Sequence, residues 1–177
     1  MNTYHPITDK QTAAAITDWC HCPSPIGPLL LAGTQGALSI ISFPGGKQPE
    51  PEPQWRHDET PFAKPLEQLQ AYFKGERQTF ELTLSPIGTP FQHQVWQALL
   101  TVPFGRTCSY GDIARQIDNP GAMRAVGNAN SRNPIPIIIP CHRVIGSDGS
   151  LTGFGGGLPT KQYLLHLEDQ QQLCLNF

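Results

Sequence analysis

The chain has 177 residues, a formal net charge of −2 and 38% hydrophobic residues, which suits one domain or two small ones and argues against a protein that coats nucleic acid through bulk charge. No segment reaches the roughly 20 consecutive apolar residues needed to span a bilayer, so no membrane partner is expected. Five cysteines is an odd number, without framework spacing, and Met1-Asn2-Thr3-Tyr4-His5-Pro6 lacks the basic-then-apolar pattern of a signal peptide; together these predict a reduced, cytoplasmic protein. Charge is unevenly spread: residues 1–88 carry 6 Lys and Arg against 9 Asp and Glu, residues 89–177 carry 6 against 5. Any DNA contact would therefore be a local patch in the second half, with modest salt dependence.

Residues 1–15 show no clear periodicity and are expected to be weakly ordered. From Trp19 to Phe43 the pattern is a hairpin, with Ile26 to Leu31 as one strand, a Gly33-Thr34-Gln35-Gly36 turn, and Ala37 to Phe43 as the next. Cys20-His21-Cys22 offers metal-ligand types, but no second ligand pair follows at zinc-like spacing, and no metal is expected. Pro44 to Asp58 reads as an exposed connector. Thr60-Pro61, a cap followed by a first-turn proline, opens a helix carrying Leu66, Leu69, Tyr72 and Phe73, which Lys74-Gly75 ends. Phe80 to Leu84 reads as a strand. Ser85-Pro86-Ile87-Gly88 then marks a boundary. The expected class is α+β: a small N-terminal α/β structural domain with an antiparallel sheet over 1–88, and a mostly helical domain over 89–177.

Thr89-Pro90 repeats the cap-and-proline start, and Phe91, Val95, Trp96, Leu99 and Leu100 give an apolar helical stripe that Pro103-Phe104-Gly105 stops. Ser109-Tyr110-Gly111-Asp112 resembles a capping box with Asp in place of Glu. A short helix follows with Ile113, Ala114 and Ile117 inward, then an Asp118-Asn119-Pro120-Gly121 turn and a second helix to about Asn130, the arrangement of a helix-turn-helix. Ala122, Ala125 and Ala129 share a face of that second helix, with Gly127 nearby and Arg124 projecting alone. Spacing leaves two readings open: close packing in the core, or a helix kept thin so that it lies in a narrow DNA groove with one arginine entering the duplex.

Ile135-Pro136-Ile137-Ile138-Ile139 reads as an extended segment, because Pro136 and Pro140 cannot donate to a helical ladder. It delivers Cys141-His142-Arg143-Val144-Ile145-Gly146 to the interior. A buried cysteine alone is an inert space-filler with a raised pKa. An adjacent imidazole, Arg143 and a glycine-rich stretch downstream point instead to a reactive thiol with a pKa below its free value of roughly 8.5. Successive side chains of an extended chain face opposite ways, so Cys141 and His142 need a bend or a bridging water. Phe154-Gly155-Gly156-Gly157 lacks the Lys-Ser/Thr ending of a P-loop and reads as a lid whose N–H groups line a pocket. It opens a helix from Leu158-Pro159 through Leu164, Leu165 and Leu167, which Glu168 ends, an exposed position by this pattern.

The ordered set Pro140-Cys141-His142-Arg143-Val144-Ile145, Phe91-Gln92 to Val95-Trp96, Ser109-Tyr110, Ala122-Met123-Arg124-Ala125-Val126-Gly127, Asn133-Pro134 and Gly156-Gly157-Leu158 strongly resembles the O6-alkylguanine-DNA alkyltransferases, also called methylated-DNA–protein-cysteine methyltransferases. The resemblance covers residues 89–170 closely and the Ser24-Pro25-Ile26-Gly27 and 61–80 stretches more loosely. It implies a DNA-binding and alkyl-acceptor domain over 89–177 that reverses damage directly, moving an alkyl group from O6-alkylguanine, and from O4-alkylthymine, in double-stranded DNA to Cys141 after base flipping. The implied protein is a monomer that binds through the minor groove, uses no cofactor and acts once. The resemblance further implies that His142 is the base acting through a water on Cys141, that Glu168 orients His142, and that Asn133 braces the turn before the active-site segment. Tyr110 would contact the flipped base and assist its departure, and Arg124 would fill the gap in the duplex. Ala122, Met123, Ala125 and Gly127 would lie along the DNA. Val144 and Gly155 backbone groups would read the guanine edge in a pocket with Phe154 and Gly156. Many relatives carry Ser where this chain has Gly155, so the N–H is kept and the hydroxyl lost. The zinc ligands of some relatives have no match here.

Three competing readings differ in chemistry. A non-catalytic lesion sensor of the same fold would lack the acceptor cysteine, and Cys141 is present. A cysteine hydrolase using Cys141, His142 and Glu168 would have no need of Arg124 on a thin helix. A plain DNA-binding module would tolerate Cys141→Ser.

Overall fold

The computed structural model describes residues 1–8, 16–46 and 51–175. Its backbone divides into two compact units, Met1–Thr89 and Pro90–Phe177. Among the described residues the first holds a six-stranded sheet built from β1 (Thr3–Tyr4), β2 (Asp18–Cys22), β3 (Leu29–Thr34), β4 (Ala37–Ser42), β5 (Arg56–His57) and β6 (Thr83–Leu84), ordered β1-β6-β4-β3-β2-β5, together with one α-helix, α1 (Ala63–Phe73). The sheet is antiparallel only at its centre: β3 pairs antiparallel with β2 and β4, whereas the β1–β6, β4–β6 and β2–β5 pairs are parallel. Leu29 through Gly33 are all buried, the pattern of a central strand covered on both faces. Leu30 and Ala32 join Ile16 and Ile40 in a cluster against which Trp19, Trp55 and Ile87 pack.

Several local expectations shift here. Thr3–Tyr4 is a strand rather than loose chain, while residues 9–15 lie outside the described ones. Only Thr83–Leu84 of the 80–84 segment joins the ladder. The Gln68 side chain already binds the Glu81 N–H (2.8 Å), and Asn2 Oδ1 takes the Leu82 N–H (2.9 Å). Thr60 does not cap its helix; Asp58 Oδ1 accepts the Thr60 N–H at 2.9 Å, and a one-turn 3-10 helix (Thr60–Phe62) precedes α1. The proposed connector ends in β5, tied to β2 by Arg56, whose Nη2 lies 2.7 Å from Oδ1 of the buried Asp18. In β2, Cys20 and Cys22 point inward with His21 exposed on the other face. The triplet therefore does not converge on one point.

The second unit contains α2 (Pro90–Leu99), β7 (Cys108–Ser109), α3 (Tyr110–Gln116), α4 (Met123–Ser131), β8 (Val144–Ile145) and α5 (Leu158–Leu175), with one-turn 3-10 helices at Pro120–Ala122 and Cys141–Arg143. Ser109 and Asp112 form the anticipated capping box: Ser109 Oγ accepts the Asp112 N–H and Asp112 Oδ2 accepts the Ser109 N–H. β7 runs parallel to β8, Cys108 opposite Val144 and Ser109 opposite Ile145. That pairing brings Tyr110 beside the segment carrying Cys141. Trp96, 1% exposed, donates its indole N–H to the Ala129 carbonyl at 2.9 Å and fixes α4 on α2.

Residues 135–140 are not extended. Ile139 N–H donates back to Ile135 O (3.0 Å), and Ile137 adopts a positive φ of 74°. The cause is Asn133. Its Oδ1 accepts the Ile135 N–H (3.0 Å) and its Nδ2 donates to Ile139 O (2.8 Å), so one buried amide does the work of a partner strand. Asn133→Ala would leave both main-chain groups unpaired in the interior, at about 1–3 kcal/mol each. The expected outcome is a loss of about 2 kcal/mol or more, read from urea unfolding; a loss within about 0.5 kcal/mol, the usual surface range, would show that Asn133 does not hold the turn.

Candidate active site

Cys141–Arg143 form a single 3-10 turn, so the chain bends at the cysteine. All three residues are buried, His142 completely. Opposite them stands Glu168, which is not an exposed helix end: α5 continues to Leu175, and Glu168 is 1% exposed. Among the described side chains of α5, Lys161, Leu164 and Glu168 are buried, spaced i, i+3 and i+7 on one helical face.

A carboxylate is tolerated in such a place only if donors replace water. Glu168 has them. Oε1 receives His142 Nε2 at 2.8 Å and Arg143 Nη2 at 3.0 Å; Oε2 receives Arg143 Nε at 2.9 Å and the Gly105 N–H at 3.1 Å. Arg143 completes its fork by donating Nη1 to Val102 O at 2.6 Å, and its guanidinium lies 5.6 Å from the Phe104 ring centroid. Burial alone would push the Glu168 carboxyl up, but the hydrogen bonds and charges of His142 and Arg143 outweigh it and hold the group at about 2. His142 moves down from its ordinary value, chiefly because burial disfavours the imidazolium. A neutral ring facing an ionised carboxylate carries its proton on Nε2. Nδ1 is then a lone-pair acceptor, and it has no hydrogen-bond partner among the described residues.

The Cys141 thiol contradicts the expectation of a lowered pKa. Burial pushes it up to about 11, against the opposing pull of the Asn133 side chain, the Lys161 charge and the main-chain N–H groups of Cys141 and His142. Lys161 is itself fully buried, donating Nζ to Val144 O at 2.6 Å and to Thr152 O at 3.3 Å, and burial shifts its pKa down. Tyr110 Oη meets Thr152 Oγ1 at 2.6 Å, and a Cβ added to Gly127 would lie 3.7 Å from the Tyr110 ring.

Chains of this architecture are known. A model described as the 6-O-methylguanine DNA methyltransferase DNA binding domain matches residues 90–170, and one described as the ribonuclease-like domain of the same protein matches residues 19–86. The chain belongs to the 6-O-methylguanine DNA methyltransferase family. A methylated-DNA–protein-cysteine methyltransferase of Methanosarcina acetivorans is 52% identical over 146 residues, 82% of this chain and 94% of that protein. Its counterpart in Mycobacterium leprae is 52% identical over 156 residues, 86% and 94% of the two chains. The crystal structure of Mycobacterium tuberculosis OGT in complex with DNA superposes with a TM-score of 0.83 at 48% identity, covering 88% of this chain and 94% of that one. The family makes this chain a DNA-repair methyltransferase with the α+β fold expected of it.

Within this methyltransferase, Cys141, His142, Glu168 and Asn133 share one buried cluster, and Tyr110 borders the loop leading to α5. Arg124 and Ala125 are exposed on α4, as is Met123 at 54%, and Ala122 and Gly127 are half-buried. Ala129 is buried beneath the Trp96 bond, so the small-residue face is divided: its C-terminal part packs inward and the rest faces out. Phe154 and Gly156 are half-buried and Gly155 exposed. Of the Val144 backbone groups expected to read the guanine edge, the carbonyl accepts from Lys161. The reading of residue types undervalued Arg143 and Lys161. Lys161 carries a signal in the residue types, standing with Glu168 two turns apart on the apolar stripe of α5, whereas nothing in the sequence pairs Arg143 with Glu168.

Glu168→Gln would strand a buried guanidinium, which costs about 3–5 kcal/mol when one partner of a buried pair is removed. Both shifted groups act in the same direction with pH. Glu168 has a folded pKa of about 2 against an ordinary 4.5, and His142 lies below its ordinary 6.5. Each stabilises fully above its unfolded value, and the contribution is lost as pH falls toward the folded value. Wild-type stability should thus decline from about pH 6.5 downward and more steeply below about 4.5. The Glu168→Gln protein should begin lower and lose the steeper limb; parallel pH profiles in urea unfolding would contradict this assignment.

Proposed function

We propose that the protein repairs duplex DNA by moving the alkyl group of O6-alkylguanine, and of O4-alkylthymine, onto Cys141 in a single irreversible step. Thiolate sulfur attacks the alkyl carbon, the carbon–O6 bond breaks, its electron pair leaves with the guanine, and a thioether forms. The carrying observation is the pair made by His142 Nε2 and Glu168 Oε1 at 2.8 Å, with Nδ1 left unpartnered one residue from the buried thiol. A base so held takes the thiol proton through a bridging water, and Glu168 stabilises the resulting imidazolium, which is triad logic with one water inserted. Lys161 and Asn133 then favour the thiolate. The departing base gains a hydrogen bond from Tyr110, in a pocket formed by Val144, Phe154, Gly155 and Gly156.

The target atom of a stacked base is out of reach, so the nucleotide is flipped at a cost of about a few kcal/mol. α3 and α4, joined by residues 117–122, act as a helix-turn-helix. The exposed part of α4 lies in the minor groove, and Arg124 occupies the space the base vacates. The working protein is a cytoplasmic monomer; Cys20, Cys22, Cys108 and Cys141 are all free thiols, which suits a reducing compartment.

Two measurements test this reading. With labelled O6-methylguanine duplex in excess, transfer should plateau at about one alkyl group per protein, and peptide mapping should put the added mass on Cys141, because nothing in the site cleaves a thioether. Continued turnover, or label on Cys20, Cys22, Cys108 or Cys174, would refute the mechanism. Arg124→Ala should slow repair of duplex by at least about tenfold while reaction with free O6-benzylguanine, which needs no flipping, stays within about twofold. Equal losses on both substrates would give Arg124 a structural role instead.

A further inference from the structure

A side-chain contact from the loop between β8 and α5 reaches back to α3 and is left unused by the reaction above. Thr152 lies 42 residues from Tyr110 in sequence, yet their hydroxyls are 2.6 Å apart, at the short end for an O–H···O bond. Either oxygen can be the donor. The same residue's carbonyl accepts from Lys161 Nζ, which also holds Val144 O. Thr152 therefore joins the phenol on α3, through Lys161, to the strand that follows Cys141. A hydroxyl has one proton and two lone pairs. If Thr152 donates to Tyr110 Oη, the phenol proton must point elsewhere. On another side the ring faces Gly127, where an added Cβ would sit 3.7 Å away, in ordinary van der Waals contact.

We propose that Thr152 is a positioning residue for alkyl transfer: its hydroxyl donates to Tyr110 Oη and so aims the phenol O–H at the departing base. The inference rests on the reading of Tyr110 given above. As negative charge develops on the base, Tyr110 donates more strongly and its oxygen becomes the more electron-rich acceptor. The Thr152 donor strengthens with it, as adjoining hydrogen bonds polarise one another. Threonine serves here because its methyl group and hydroxyl share one stiff rotamer axis, which fixes the oxygen's direction. Serine retains the donor; valine keeps the shape and loses it.

The experiment uses the full chain and single-turnover methyl transfer from O6-methylguanine duplex, with affinity for the same duplex measured alongside. Thr152→Val should slow transfer by about tenfold, the loss of one hydrogen bond that strengthens in the transition state, with affinity within about twofold of wild type. Thr152→Ser should return the rate to within about threefold of wild type. Tyr110→Phe should be slow, and adding Thr152→Val to it should cost nothing further, because the two residues act as one unit. A wild-type rate in Thr152→Val beside a slow Tyr110→Phe overturns the Thr152 inference alone. So does a double variant whose losses multiply, or a serine variant as slow as valine. A wild-type rate in Tyr110→Phe overturns the role of Tyr110 and this inference with it. Thermal unfolding of each variant separates these outcomes from a folding defect, since Thr152 is half-exposed and its truncation should move stability little.

Discussion

An ionised carboxylate in the interior of a small helical unit constrains everything around it. Glu168 must have donors on both oxygens, and the chain supplies them from two places: the 3-10 turn of His142 and Arg143, and the main chain at Gly105. Each donor is thereby fixed in turn. Arg143 cannot leave without exposing a buried charge, so it anchors Val102 and the loop after α2. His142 cannot rotate without losing its Nε2 partner, so its other nitrogen has only one direction to face. The geometry of the proposed base thus follows from the electrostatics of a residue that need never touch DNA.

The thiol sits on the opposite side of the same balance. Four influences favour its ionised form, yet burial wins and holds it at about 11. Asn133 is divided between two tasks, folding the 135–140 turn and facing the sulfur. Lys161 is divided likewise, with two carbonyl acceptors and a long-range pull on Cys141. A preorganised set of dipoles around a low-dielectric site acts most strongly where charge develops during reaction rather than before it. In the proposed reaction, thiolate is made when the substrate is in place, by a base whose proton-accepting nitrogen is already set.

Much of this was legible in the residues. The first-turn prolines Pro61 and Pro90 and the Ser109–Asp112 box are local signals, decided within four or five residues, and these survive folding, whereas the cap expected of Thr60 gives way to Asp58. The turn at 135–140 was not legible, because prolines and isoleucines in a row say only that a helix is unfavourable. What bends them is a side-chain amide two residues upstream, a tertiary choice. Glu168 was misplaced for a related reason. A helix end was assigned where the apolar pattern stopped, and a charge within the buried stripe of α5 resembles the end of that stripe unless its partners are known. The thiol pKa was misjudged because neighbours can be read along a sequence and solvent exclusion cannot.

The depth of Cys141 also bears on what the protein does while it waits. Burial raises its pKa well above the ordinary thiol value, so little of it is ionised at neutral pH. Peroxides and small electrophiles consume cysteines through the thiolate and through access, and this sulfur offers little of either, being 4% exposed. If the proposed single-use transfer holds Cys141 as its acceptor, every stray encounter with an oxidant is a repair forgone. Burial that would slow an ordinary nucleophile would then act as shelf life, keeping the proposed acceptor unspent until a lesion arrives.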